Sequence, residues 1–214
     1  RNSLVSYCLF AVNNLGVICQ SMGRLPEAEA CYRRVIELNP EHADSHNNLG
    51  VNLKVQGRMS EAGKAFQSAL SHDANHARAH HNLANLYRMA EHHDLAATHF
   101  QLAIKNGLKT LDARQALVSA LMKSGDREEA LFALEEWRRQ DPENPVAQHL
   151  EAAVRGGQVP SRASDEYVKA MFDHMAGNFD ESLADLGYQA PGLVVAALNA
   201  SLDPDAESLQ VLDA

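Results

Sequence analysis

The tetrad Asn13-Asn14-Leu15-Gly16 returns as Asn47-Asn48-Leu49-Gly50, and then in relaxed form as His81-Asn82-Leu83-Ala84. Each copy follows the last by 34 residues. A fixed period of that size confines the chain to a stacked array, because one short unit cannot bury its own apolar face and must lean on its neighbours. On this period, residues 9–42, 43–76, 77–110 and 111–144 align without insertion or deletion. With positions counted from the start of each unit, position 7 is always Leu (Leu15, Leu49, Leu83, Leu117). Position 20 is always Ala (Ala28, Ala62, Ala96, Ala130), and position 24 is large and apolar (Tyr32, Phe66, Phe100, Leu134). Position 8 is small in three units (Gly16, Gly50, Ala84) and is Val118 in the fourth.

The pattern predicts two helices per unit. Positions 4, 7, 8 and 11 recur at helical spacing, and so do positions 20, 24 and 27. A small residue at position 8, set against Ala at position 20, would let the two helices approach closely. Gly23, Gly57 and Gly125 fall where the first helix should end in a left-handed residue. Pro26 can open a second helix, while Pro40, Asn106-Gly107 and Pro142 break the chain between units. The pattern resembles the tetratricopeptide repeat over residues 9–144. That resemblance implies an all-α fold, a right-handed solenoid of helix-turn-helix units whose first helices line a concave groove for a peptide or partner protein. Residues 145–155 are expected to form a capping helix. The fourth unit is the least regular, and its Trp137 is expected to pack against whatever follows.

Composition narrows the function. The chain holds 19 basic and 28 acidic residues, a formal charge of -9, and its densest basic clusters are the pairs Arg33-Arg34 and Arg138-Arg139. Such a chain is repelled by nucleic acid and by anionic membranes. No apolar run approaches the roughly 20 residues of a spanning helix, and no signal peptide is apparent. Three cysteines, Cys8, Cys19 and Cys31, lie in periodic helical segments and read as reduced core thiols of a cytoplasmic protein.

The groove should present position 6, which holds Asn14, Asn48 and Asn82 and then Ala116. A side-chain amide both donates and accepts, so a row of them can pair with a peptide backbone whatever its sequence. A similar asparagine ladder occurs in the repeats of O-linked N-acetylglucosamine transferases. Lys54, Arg88 and Lys123 fall where they would meet acidic groups on the guest. The pairs His42/His46 and His76/His80 have a spacing that can suit a metal, yet they are themselves 34 residues apart, so repeat identity accounts for them and no metal site is expected. No nucleophile elbow or triad stands out.

Beyond the repeats, residues 156–163 read as a linker and 164–214 as a different segment. It carries Phe172-Asp173 and Phe179-Asp180, then Leu186-Gly187-Tyr188 and Pro191, and closes on Val211-Leu212-Asp213-Ala214. This combination resembles bacterial proteins that fuse tetratricopeptide repeats to an S-adenosylmethionine-dependent methyltransferase. The resemblance implies a helical lead-in and the first strand of an α/β domain whose glycine turn and later strands are missing here. It also implies that Phe172, Phe179 and Asp213 serve the cofactor in a longer parent enzyme, while this chain alone binds no cofactor and catalyses nothing. The alternative is a stand-alone adaptor. The repeat region of a glycosyltransferase is a third option, which the 160–191 segment argues against.

Overall fold

The computed structural model describes residues 2–156 and 165–173, with side chains from residue 7 onward. The chain divides into two compact units, residues 1–167 and 168–214. The first contains α1 (Asn2–Ser21), α2 (Leu25–Leu38), α3 (Ala43–Val55), α4 (Met59–His72), α5 (Ala77–Met89), α6 (His93–Lys105), α7 (Leu111–Ser124), α8 (Arg127–Gln140) and α9 (Pro145–Arg155). A further helical stretch covers 165–173, and of the second unit only the first residues, 168–173, are described. All regular structure among the described residues is helical. The strand expected at residues 209–214 lies outside the described residues, as do the helices expected beyond residue 173.

Within the first unit, α1–α2, α3–α4, α5–α6 and α7–α8 form four hairpins, each packed on the next, and α9 packs on α8. The turns follow the glycine pattern. Gly23, Gly57 and Gly125 adopt φ of 71°, 79° and 92°, a region where a Cβ is strained. The third hairpin has Glu91 at the same position with φ 60°. Pro26 lies in the first turn of α2, and Asn144 opens α9 by accepting from the amides of Val146 and Ala147.

The core confirms the periodicity and corrects one of its details. Ala28, Ala62, Ala96 and Ala130 are wholly buried, and Val35, Ala69, Ala103 and Trp137 at position 27 are buried as well. The small residue at position 8, however, makes room for position 24 rather than for position 20. A Cβ on Gly16 would lie 2.6 Å from Tyr32, and one on Gly50 would lie 2.5 Å from Phe66. Helical spacing identifies the buried face but not which neighbour fills it. The cysteines also need correction: Cys19 is buried, Cys31 is half-buried and Cys8 is exposed.

Polar ties join successive hairpins. Glu29 accepts from Arg33 on its own helix and from Gln56 and Arg58 of the next hairpin, at 2.7–3.0 Å. At the far end, Glu151 of α9 accepts from Arg138 of α8 at 2.6 Å and from Arg155 at 2.9 Å. Both carboxyls sit below the ordinary carboxylate range. Burial opposes the hydrogen bonds from Gln56 and Arg33 at Glu29, whereas the bond from Arg138 leads at Glu151.

Candidate functional site on the first-helix face

The repeat period sets the position 6 amides one above another on α1, α3 and α5. Asn48 and Asn82 are half-buried and Asn14 is exposed. The amides of Asn48 and Asn82 are already engaged, in a way that spacing alone did not reveal. Asn48 Nδ2 donates to Asn13 Oδ1 (3.2 Å), and Asn82 Nδ2 donates to Asn47 Oδ1 (2.9 Å). Asn48 and Asn82 therefore each donate back to position 5 of the preceding hairpin. Ser45 Oγ also donates to Asn13 Oδ1 (2.9 Å), and Asn47 Nδ2 to Asn48 Oδ1 (3.4 Å). The relay ends between the third and fourth hairpins: position 5 of the third is His81 rather than asparagine, and position 6 of the fourth is Ala116, which has no amide. An amide with two N–H donors and two lone pairs keeps capacity after one such bond.

Cationic groups frame this row. His81 takes a hydrogen bond from Asn85 (2.9 Å) and lies 3.5 Å from Asp112. Burial holds the His81 imidazole below its ordinary value, against the pull of Asp112, and the charges of Lys54 and Arg88 add to the depression. Lys54 and Arg88 thus both act on His81, the sequence neighbour of Asn82. Arg88 also donates to Asn85 Oδ1 (3.2 Å). Lys123 lies elsewhere, in a shallow cleft with Glu91, His92, His93 and Asp94 by the turn between α5 and α6.

The histidines at metal-like spacing have structural partners. His42 and His76 begin α3 and α5, each accepting through Nδ1 from a backbone amide, Ser45 (3.2 Å) and Ala79 (3.1 Å). His46 and His80 point Nε2 at the carbonyls of Pro40 (2.7 Å) and Ala74 (3.0 Å). A carbonyl only accepts, so His80 carries its proton on Nε2, and its Nδ1 accepts from His99 Nδ1 at 2.9 Å. Among the described residues, no three His, Cys, Asp or Glu side chains cluster as metal ligands would.

A larger hollow escaped the sequence reading. Between α6 and α8, over the start of α7, lies a groove of about 950 Å³. Ile104, Leu117, Val118 and Phe132 line it, with Trp137 at its wall. Trp137 is buried, and the contact that accompanies its burial is the Arg114 guanidinium of α7, 5.4 Å over the ring. The corresponding groove between α2 and α4 measures about 430 Å³. The irregular Val118 and Trp137 were the available signal.

Of the residues tied by resemblance to a cofactor, Phe172 is 65% exposed, and Phe179 and Asp213 lie outside the described residues. No described helix is long and apolar enough to cross a membrane.

Three models of the tetratricopeptide repeat match residues 11–42, 52–109 and 111–154, together well over half of the chain. The chain belongs to the tetratricopeptide-repeat proteins. No curated protein matches it. Among solved structures it is similar to PilF of Pseudomonas aeruginosa (17% identity, 92% of this chain and 98% of that one, TM-score 0.63). It is similar also to YrrB, a tetratricopeptide-repeat protein described as having an unusual peptide-binding site (19% identity, 87% and 90% covered, TM-score 0.57). A third is the first such domain of Spaghetti (RPAP3), solved with an HSP90 peptide (12% identity, 55% and 93% covered, TM-score 0.51). At these identities the likeness concerns the fold.

Proposed function

We propose that the first-helix face holds an extended peptide, or an unfolded segment of a partner protein, along the Asn14, Asn48 and Asn82 amides. The register of those amides carries the reading. They repeat at one position in successive hairpins, and two of them are braced from behind by Asn13 and Asn47. Bracing fixes an amide's rotamer before a guest arrives, which lowers the entropy lost on binding. Lys54 and Arg88 would favour a guest with acidic side chains, and Lys123 would meet one that reaches the turn between α5 and α6. The peptide-binding site named for YrrB and the HSP90 peptide bound to the RPAP3 domain support such a use of the fold.

The test begins with peptides selected by the 214-residue chain from an acidic random-peptide display library. Alanine at Asn14, Asn48 and Asn82 together should weaken the selected peptide about tenfold or more, roughly 1.4 kcal/mol. Alanine at Asn13 and Asn47, which removes the brace but leaves the contacts, should weaken it less. Equal affinity in the triple variant, with helicity intact by circular dichroism, would sink the reading.

The resemblance of residues 160–191 and 211–214 to methyltransferase-linked repeats extends the proposal to a parent enzyme in which the array recruits the methyl acceptor. The stand-alone adaptor is the alternative. In both cases the described residues bind a partner, and no catalytic step is assigned to them.

A further inference from the structure

The first hairpin breaks the pattern of burial that the others keep. Position 7 is 6%, 4% and 6% exposed at Leu49, Leu83 and Leu117, but 50% exposed at Leu15. Position 3 is fully buried at Ser45, Ala79 and Ala113, whereas Ala11 is exposed. Position 10 is buried or half-buried at Asn52, Leu86 and Ala120, whereas Ile18 is 55% exposed. In the second to fourth hairpins these positions belong to a helix packed on the second helix of the hairpin before, α2, α4 or α6. On α1 the same face is open.

The open face forms a stripe. Tyr7, Ala11, Leu15, Ile18 and Met22 follow each other by four, four, three and four residues, the spacing of one helical face. All five are exposed. The stripe spans about 22 Å at 1.5 Å per residue. α1 also contains no Asp, Glu, Lys or Arg over Asn2–Ser21, unlike every other helix from α2 to α9. A helix with one apolar face normally turns charges toward water, and this one has none.

α1 also lacks the break that precedes each later hairpin. Between later hairpins the chain leaves the helix at Asn39–His42, Asp73–His76 and Asp141–Asn144. Residues 5–8 are the counterparts of those breaks, and α1 runs through them without interruption.

We infer that this face is covered by α1 of a second copy of the chain, packed antiparallel about a two-fold axis near Leu15. The stripe is its own complement in that arrangement. Leu15 meets Leu15 of the second copy, small Ala11 leaves room for Ile18 of the second copy, and Tyr7 lies over Met22 of the second copy. Such an isologous pairing closes at two chains. Charge selects the same occupant. At a formal charge of -9, two copies repel wherever their acidic surfaces meet, and the uncharged α1 lets them touch without bringing like charges together. The second α1 takes the place that α2, α4 and α6 occupy inside the stack.

Sedimentation of the 214-residue chain over a dilution series tests this. The expected result is twice the 23.4 kDa chain mass, falling to the single mass in a Leu15→Glu/Ile18→Glu variant. Met89→Glu, at an equally exposed apolar residue on α5, should leave the doubled mass unchanged. A single mass for the unmodified chain at every concentration overturns the inference, and so does a doubled mass that survives Leu15→Glu/Ile18→Glu. Should that variant lose its helical signal, hydrogen exchange on the unmodified chain decides. Protection of residues 9–22 that rises with concentration supports the pairing, and concentration-independent protection refutes it. Because the inference rests on α1 burial alone, peptide capture on the Asn48 and Asn82 amides can fail without it.

Discussion

The second and fourth hairpins solve one packing problem in opposite ways. In the second, Gly50 gives up its side chain so that the Phe66 ring can lie against the backbone of α3. In the fourth, Val118 refills the small position and Leu134 replaces the ring. The summed volume is shared out differently, and Trp137 then enters a position held elsewhere by Val35, Ala69 and Ala103. Helix α8 packs less extensively on α7 than α4 does on α3. The outer groove beside it is correspondingly wide, about 950 Å³ against about 430 Å³. Within this array the same pair of positions is thus filled in two ways, and the choice changes the surface beside it.

The largest expected effect comes from imposing the fourth hairpin's choice on the second. Gly50→Val should lower unfolding free energy by about 1–3 kcal/mol, the usual range for overpacking, read as a lowered urea midpoint. Adding Phe66→Leu should recover about half of that loss, because the two sites are in contact and their effects do not add. Simple additivity would break the comparison.

A smaller effect, of opposite sign, should come from the turn of the third hairpin. Glu91 holds φ 60° where Gly57 and Gly125 take 79° and 92°. Glu91→Gly should stabilise the protein by up to about 1 kcal/mol, the order of the left-handed penalty for a residue with a Cβ, and raise the thermal midpoint.

The smallest effect is on pH dependence, and it belongs to the third hairpin alone. Burial depresses the His81 imidazole, and burial together with His80 depresses His99. Both lie below the ordinary value of 6.5 in the folded chain. Just under that pH the unfolded chain therefore binds more protons than the folded one. The stability they contribute is complete above about 6.5 and is lost as pH falls through the folded values. The thermal midpoint should drop by a few degrees on moving from about pH 7.5 to about pH 5.5, and His81→Asn/His99→Asn should flatten that slope. Glu29 and Glu151, held below their ordinary value of 4.5, act only at lower pH and leave the window clear.

Much of this architecture was legible along the chain. The 34-residue period predicted the hairpins, and the buried alanines at position 20 and the left-handed glycines lie where it put them. What periodicity could not supply was the identity of neighbours. It pointed Gly50 at position 20, although the ring at position 24 fills the space. It ranked Leu15 with Leu49, because nothing local to Leu15 records what lies across from it. The candidate site was legible as a row of asparagines and illegible as a relay, since Asn13 and Asn48 are 35 residues apart and their bond depends on how one hairpin is stacked on the next. The groove beside Trp137 was visible only as a lapse in the pattern.

The joints of this array answer to two agents at once. Apolar side chains fill the contacts throughout, Val146, Ala147 and Val154 of α9 included, while Glu29 ties the first two hairpins and Glu151 ties α9 to Arg138 of α8. Added electrolyte screens the second kind of contact and strengthens the first. In a linear stack, where each member is held by its immediate neighbours, concentrated salt therefore shifts the load at both joints from charge to apolar contact.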